Sequence, residues 1–228
     1  MMNKLLFPSI FIALIFSTSA ISQNLTADTI LADKHHRAGI EFLQSYQFDS
    51  AHGRFNRAQD LLLRHEVWDK SIFVRTKIVE SLFYMGRFDE AHDVLKDGLA
   101  LVRENIGEVN FQVLMLLSYL GGYYAQTGDY DKALETFEAS VPITMELYGE
   151  MSGEMANVYN NLGIGYGEKG DYRKELEFVQ KSLAIRIELL GPESIEAAMA
   201  YGNIGANFEH QGEYDKALIY LDKAYDLE

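Results

Sequence analysis

Six histidines, His35, His36, His52, His65, His92 and His210, are the side chains in this chain that first suggest metal or acid–base chemistry. No two of them stand four apart on one helix face, and no His-Glu-x-x-His occurs. His35 and His36 are adjacent and so point to different faces. A metal site would need ligands converging from distant segments, and none is expected. With no cysteine in the sequence, disulfides, thiolate catalysis, cysteine metal sites and a lipidated-cysteine anchor are excluded for this chain. The run Gly163-x-Gly165-x-Gly167-x-x-Gly170 superficially resembles a phosphate-cradling loop. No strand precedes it, and its first and last glycines fall in a longer register, so the structural reading is preferred. No G-x-x-x-x-G-K-[ST] and no G-x-S-x-G is present. Asp and Glu are abundant, yet nothing in their pattern singles out an acid–base pair. The expectation is no enzyme, no cofactor and no metal.

That longer register is what positions every side chain. Gly128-Asp129-Tyr130-Asp131-Lys132-Ala133-Leu134 recurs as Gly170-Asp171-Tyr172-Arg173-Lys174-Glu175-Leu176 and as Gly212-Glu213-Tyr214-Asp215-Lys216-Ala217-Leu218. Gly86-Arg87-Phe88-Asp89-Glu90-Ala91 matches, and Tyr46-Gln47-Phe48-Asp49-Ser50-Ala51 is a fainter first copy. The aromatics Phe48, Phe88, Tyr130, Tyr172 and Tyr214 are spaced 40, 42, 42 and 42 apart. A fixed period of this size marks a stacked repeat array.

Before each turn an apolar helix carries a small residue, as in Leu120-Gly121-x-x-Tyr124, Leu162-Gly163-x-x-Tyr166 and Ile204-Gly205-x-x-Phe208. After it comes a second helix, as in Tyr130-x-x-Ala133-x-x-x-Phe137. Spacings of one, three and four place these residues on one helix face. The turn glycine suits a left-handed helix end. Asp129, Asp171 and Glu213, with Ser152 and Ser194 between repeats, stand where helix caps belong. Two departures, Glu175 for Ala and Val79 for the small residue, predict looser packing in their copies. Pro142 predicts a kink or early stop near Val141.

The chain has 228 residues, 48% of them hydrophobic, and only three prolines, which favours an all-α reading. Its net charge is −14. So acidic a chain is repelled by nucleic acid and by anionic lipid, so neither is expected as a partner. Met1-Met2-Asn3-Lys4, an apolar run from Leu5 to Phe16 and the small-residue exit to Ser22 predict a signal peptide over 1–22. Cleavage near Ser22-Gln23 would release a periplasmic or extracellular protein with no membrane insertion of the mature chain, the alternative being a retained anchor. A polar leader is expected over 23–33.

The A-x-x-W/L-x-x-L-G-x-x-Y helix, the G-x-Y turn and the A-x-x-x-F-x-x-A helix make residues 34–228 resemble the tetratricopeptide repeats. Repeats fall near 34–66, 71–107, 113–149, 155–191 and 197–228. The 42-residue period, Asn160-Asn161-Leu162-Gly163 and Leu190-Gly191-Pro192-Glu193 look like the longer repeats of kinesin light chains. Similar repeats stand upstream of caspase-like (CHAT) or signalling domains in bacteria. The resemblance implies an all-α, right-handed superhelical solenoid of about five stacked antiparallel helix pairs. It also implies a concave groove that binds a protein or peptide segment.

By that resemblance the groove is lined by Arg37, Lys77, Tyr119, Asn161 and Asn203, then by Gln44, Tyr84, Gln126, Glu168 and His210, with Asn157 and Asn160 in the middle. Arg37 and Lys77 would make a basic end for an acidic side chain or a terminal carboxylate. The asparagines, each donor and acceptor, suit an extended peptide backbone. The chaperone-type carboxylate clamp is incomplete. The tyrosines on repeat positions read mainly as core. One competing reading makes the chain the amino-terminal arm of a larger enzyme or sensor. Its support is the apolar Leu218, Leu221, Ala224 and Tyr225, which predict self-association or further chain at the carboxyl-terminal end. Another is a small-molecule or glycan binder using Tyr84 and Tyr119.

Overall fold

The computed structural model describes residues 8–227, with side chains from Leu25 onward. Residues 1–7 of the expected signal segment lie outside the described residues, and of 8–22 only helical backbone is described. Among the described residues there are ten helices and no strand. None of those helices is long and apolar enough to cross a membrane.

The chain forms two compact units, Met1–Val94 and Leu95–Glu228. The first holds α1 (Pro8–Gln44), α2 (Phe48–Arg64), α3 (Trp68–Tyr84) and the start of α4 (Phe88–Asn105). There α2 packs against both α1 and α3. The stretch over 23–33, expected as a leader, is instead part of α1, with Ala32 already buried. The second unit holds the rest of α4, then α5 (Phe111–Gln126), α6 (Tyr130–Tyr148) and α7 (Gly153–Glu168). It continues with α8 (Tyr172–Leu190), α9 (Ile195–His210) and α10 (Tyr214–Tyr225). From α5 to α10 each helix packs on the next, and α5 also meets α7. The architecture is therefore helix pairs stacked in chain order, as expected.

The period is written in the turns. At the end of α5 the Gly128 N–H reaches Ala125 O at 3.2 Å and the Asp129 N–H reaches Tyr124 O at 2.8 Å. Closing both bonds requires a left-handed residue, and Gly128 has φ 82°. Gly170 repeats this at φ 83°. In the first repeat the same place is held by Tyr46 at φ 58°, with its side chain exposed. A side chain in that region costs about 1–2 kcal/mol, more than the extra chain entropy of glycine. Tyr46→Gly is expected to stabilise the first unit by about 0.5–1 kcal/mol, and Tyr46→Ala to give no gain. Urea unfolding followed at Trp68 measures both.

The caps divide by side-chain length. Asp129, Asp171, Ser152 and Ser194 each accept from the backbone N–H three residues on, at 3.3, 3.1, 3.2 and 3.2 Å. Asn110 does the same for α5 at 2.9 Å, one 42-residue period before Ser152. Glu213 makes no cap bond and pairs with Lys216 instead. Its extra methylene carries the carboxylate past the backbone.

The small residues on the first helices exist because the second helices come close. A Cβ placed on Gly121 would lie 2.3 Å from the Phe137 ring, and one on Gly39 would lie 2.4 Å from Phe55. Helix α7 carries Gly153, Gly163, Gly165 and Gly167 within its 16 residues. At the last three, a Cβ would meet Val179 at 2.8 Å, Leu134 at 2.9 Å and Glu175 at 2.6 Å.

Both departures from the repeat pattern turn out to be buried. Val79 is fully enclosed, and Glu175 is 8% exposed. The Glu175 carboxyl occupies the space that Gly167 vacates. Asn207 Nδ2 donates to its Oε2 at 2.7 Å and to Tyr172 O at 2.8 Å, while Gln211 Nε2 donates to Asn207 Oδ1 at 2.7 Å. Burial pushes the Glu175 carboxyl above the usual carboxylate range, although the Asn207 bond and the nearby His210 pull the other way.

The early stop expected at Pro142 does not occur, because α6 runs on to Tyr148. Phe137 and Ile143 are buried on either side, and Pro142 itself faces solvent. Ser140 Oγ donates to Phe137 O at 2.6 Å and Thr144 Oγ1 to Ser140 O at 2.8 Å, so hydroxyls bond carbonyls around the proline. Packing on the core side outweighs the single ladder bond that proline removes.

Candidate functional site

In the first unit the expected basic end is weaker than the sequence implied. Arg37 is exposed on α1. Lys77, half-buried on α3, gives its Nζ to Glu80 Oε2 at 2.7 Å one turn on, so its charge is matched within its own helix. Tyr84 lies flat on Phe48, with ring centroids 4.8 Å apart and planes 10° apart. That stacking uses one ring face for packing while the side chain stays largely exposed.

The histidines of this unit have other partners than a metal. His52 bonds Ser81 and Asn56 at 3.1 and 3.0 Å, His65 bonds Asp28 at 2.7 Å, and His35 meets Arg54 at 3.3 Å. His36 sits between Phe55 and Phe73, and its pKa is lowered first by burial and then by Lys77. Among the described residues, no group of three or more His, Cys, Asp or Glu converges as metal ligands would.

In the second unit, α5, α7 and α9 are the first helices of successive repeats, and their polar side chains bond from one repeat to the next. Asn161 Nδ2 on α7 donates to Ser118 Oγ on α5 at 3.4 Å. Asn203 Nδ2 on α9 donates to Asn160 Oδ1 on α7 at 2.8 Å. Donor and acceptor are 43 residues apart in both, so one bond is repeated along the face. Asn157 Oδ1 accepts from Arg186 of α8 at 3.0 Å, and the same guanidinium reaches Ser182 Oγ at 3.1 Å. Burial lowers the Arg186 pKa, and the charge of Glu196 opposes that shift.

Between α5 and α7, with α6 as its floor, lies a cavity of about 220 Å³. Phe111, Met115 and Val158 wall it, Phe137 lies beneath, and Ser118, Asn157, Asn161 and Glu154 edge it. It gathers three of the expected residues, Tyr119, Asn157 and Asn161. Asn160 and Asn203 continue the same polar row through their shared bond. Gln126 stands exposed at the end of α5, and exposed His210 lies against Tyr172 at 5.5 Å, so neither belongs to the cavity. Sequence reasoning missed Phe111, Met115, Ser118 and Glu154. Ser118 was within reach, since it occupies the Asn160 register one 42-residue period earlier. The others lie toward the amino-terminal ends of α5 and α7, before the motif positions begin.

The family description "tetratricopeptide repeat" matches this sequence over residues 112–188 and 154–227. No curated protein matches it significantly by sequence. A structure titled as the nearly identical repeats of a kinesin light chain from P. anserina is similar with TM-score 0.72 at 15% identity, over 88% of this chain and 95% of that one. The BtubC (BKLC) protein from P. vanneervenii is similar with TM-score 0.63 at 18% identity, over 91% of each chain. A Rap protein, solved in complex with competence and sporulation factor, is similar with TM-score 0.68 at 16% identity, over 85% of this chain and 52% of that one. This chain therefore spans about half of that protein.

Proposed function

The chain belongs to the tetratricopeptide repeat family, and from that premise we propose that its second unit grips an extended peptide segment along α5, α7 and α9. The scaffold acts by binding alone, on the exported side of a membrane. The single observation that carries the reading is the repeated polar bond, Asn161 to Ser118 and Asn203 to Asn160. An amide side chain has two N–H donors and a carbonyl acceptor. Each bond uses one of them, so the row can still bond a second backbone laid across it. The Rap structure holds competence and sporulation factor, which supports ligand capture on this fold. Export is supported by the basic, apolar and small-residue order of residues 1–22.

The test is selection of a random-sequence peptide library on the full chain, followed by affinity measurement with an enriched peptide. Asn161→Ala combined with Asn203→Ala is expected to weaken binding at least about tenfold, the scale of two lost hydrogen bonds. Lys181→Ala, an exposed change on α8, is expected to leave binding intact. An unaffected double variant, with binding abolished by Lys181→Ala, would reject the assignment.

A further inference from the structure

Resting on that reading, we infer that the cavity between α5 and α7 is an anchor subsite for one large apolar side chain of the peptide, with a lysine or arginine beside it. Size and lining give the first half. An apolar cavity of about 150 Å³ is enough to hold benzene. The 220 Å³ here admits a leucine, methionine or phenylalanine side chain with its linking methylene. The floor has two hydroxyls, but Ser140 and Thr144 both spend their protons on α6 carbonyls. No floor donor is left asking for a polar guest, and an apolar group displaces water there without leaving a bond unmade.

Charge gives the second half. Glu154, exposed at the edge, is the one ionisable carboxylate or cation among the lining residues. The nearby cation, Arg186, does not line the cavity. It is turned to Asn157 and Ser182, and it lies within electrostatic reach of Glu196. One negative charge therefore remains over at this edge. A cationic neighbour of the anchor meets it, and an acidic neighbour is repelled.

The library selection described above tests the assignment. Enriched peptides are expected to share a large apolar residue next to Lys or Arg. Ser118→Trp, which blocks the exposed mouth, is expected to weaken such a peptide at least tenfold. Glu154→Gln is expected to weaken it several-fold, and to lose that effect when the peptide's Lys or Arg is replaced by Gln. Peptides enriched in acidic residues, or bound equally well by Ser118→Trp, overturn the anchor subsite and leave the peptide-binding reading standing. No enrichment of any peptide overturns that reading, and this inference with it. Retained helical circular dichroism in each variant separates lost binding from lost folding.

Discussion

Alanine at Gly121 is expected to cost the second unit about 1–3 kcal/mol, while alanine one residue on, at Gly122, should stabilise it by about 1 kcal/mol. Both changes replace a poor helix former with the best one, so propensity alone predicts two equal gains. Packing separates them. A Cβ at Gly121 lands 2.3, 2.6 and 2.7 Å from three atoms of the Phe137 ring. That ring is buried with Leu134 and Leu162 and has little room to turn aside. A Cβ at Gly122 meets nothing within 4 Å. Urea denaturation followed by circular dichroism resolves the two signs. Midpoints that move together would mean that α5 and α6 do not approach as closely as described.

Replacing Asn207 by leucine is expected to cost about 3 kcal/mol at pH 7.5, since it leaves a buried carboxylate without its donor. The cost should shrink as the pH falls towards 4. Burial raises the Glu175 pKa in the folded chain, so the native state holds a proton where the unfolded chain has released it. The stability contributed by Glu175 is therefore complete below the unfolded carboxyl's pKa of about 4.3. It is lost as the pH rises through the higher folded value. Removing the Asn207 bond takes away an influence that lowers this pKa, and so steepens the decline. Glu175→Gln, which cannot ionise, should flatten the profile over the same window. Glu168 and His210, the other charged neighbours, are unchanged in all these variants. Thermal midpoints across pH 4–8 measure this, and a Glu175→Gln profile parallel to the parent's would refute it.

Residues that the repeat imposes on every copy were legible in the sequence. Gly121 and Gly163 could be assigned to close helix contacts because the same small residue recurs one period on. Asp129 and Asp171 could be assigned to caps because an acid follows the turn glycine in each of the last three copies. Glu175 was not legible in this way. Its accommodation depends on Gly167 and Asn207, which lie outside the motif and reach it only through the fold. The matched charge of Lys77 was readable as an i,i+3 pair with Glu80, but the repeat register treats both as free surface. Of the proposed binding face, the asparagine row was legible and the cavity beside it was not. A cavity is a property of the gap between α5 and α7, and no single segment encodes its width. Pro142 shows the same limit in reverse, since a local rule against proline yields to the buried residues on either side.

The glycines of α7 bear on how its amide row comes to exist. Each makes the isolated segment less helical than alanine would, by about 1 kcal/mol, and three of the four are dictated by side chains on α6 and α8. Excised from its neighbours, this stretch would be a coil with no preferred face. Asn157, Asn160 and Asn161 are thus held in line by side chains of the flanking helices. If that row binds a peptide as proposed, recognition is a collective property of the stack, and damage to α6 or α8 would impair it without altering a single asparagine of the row.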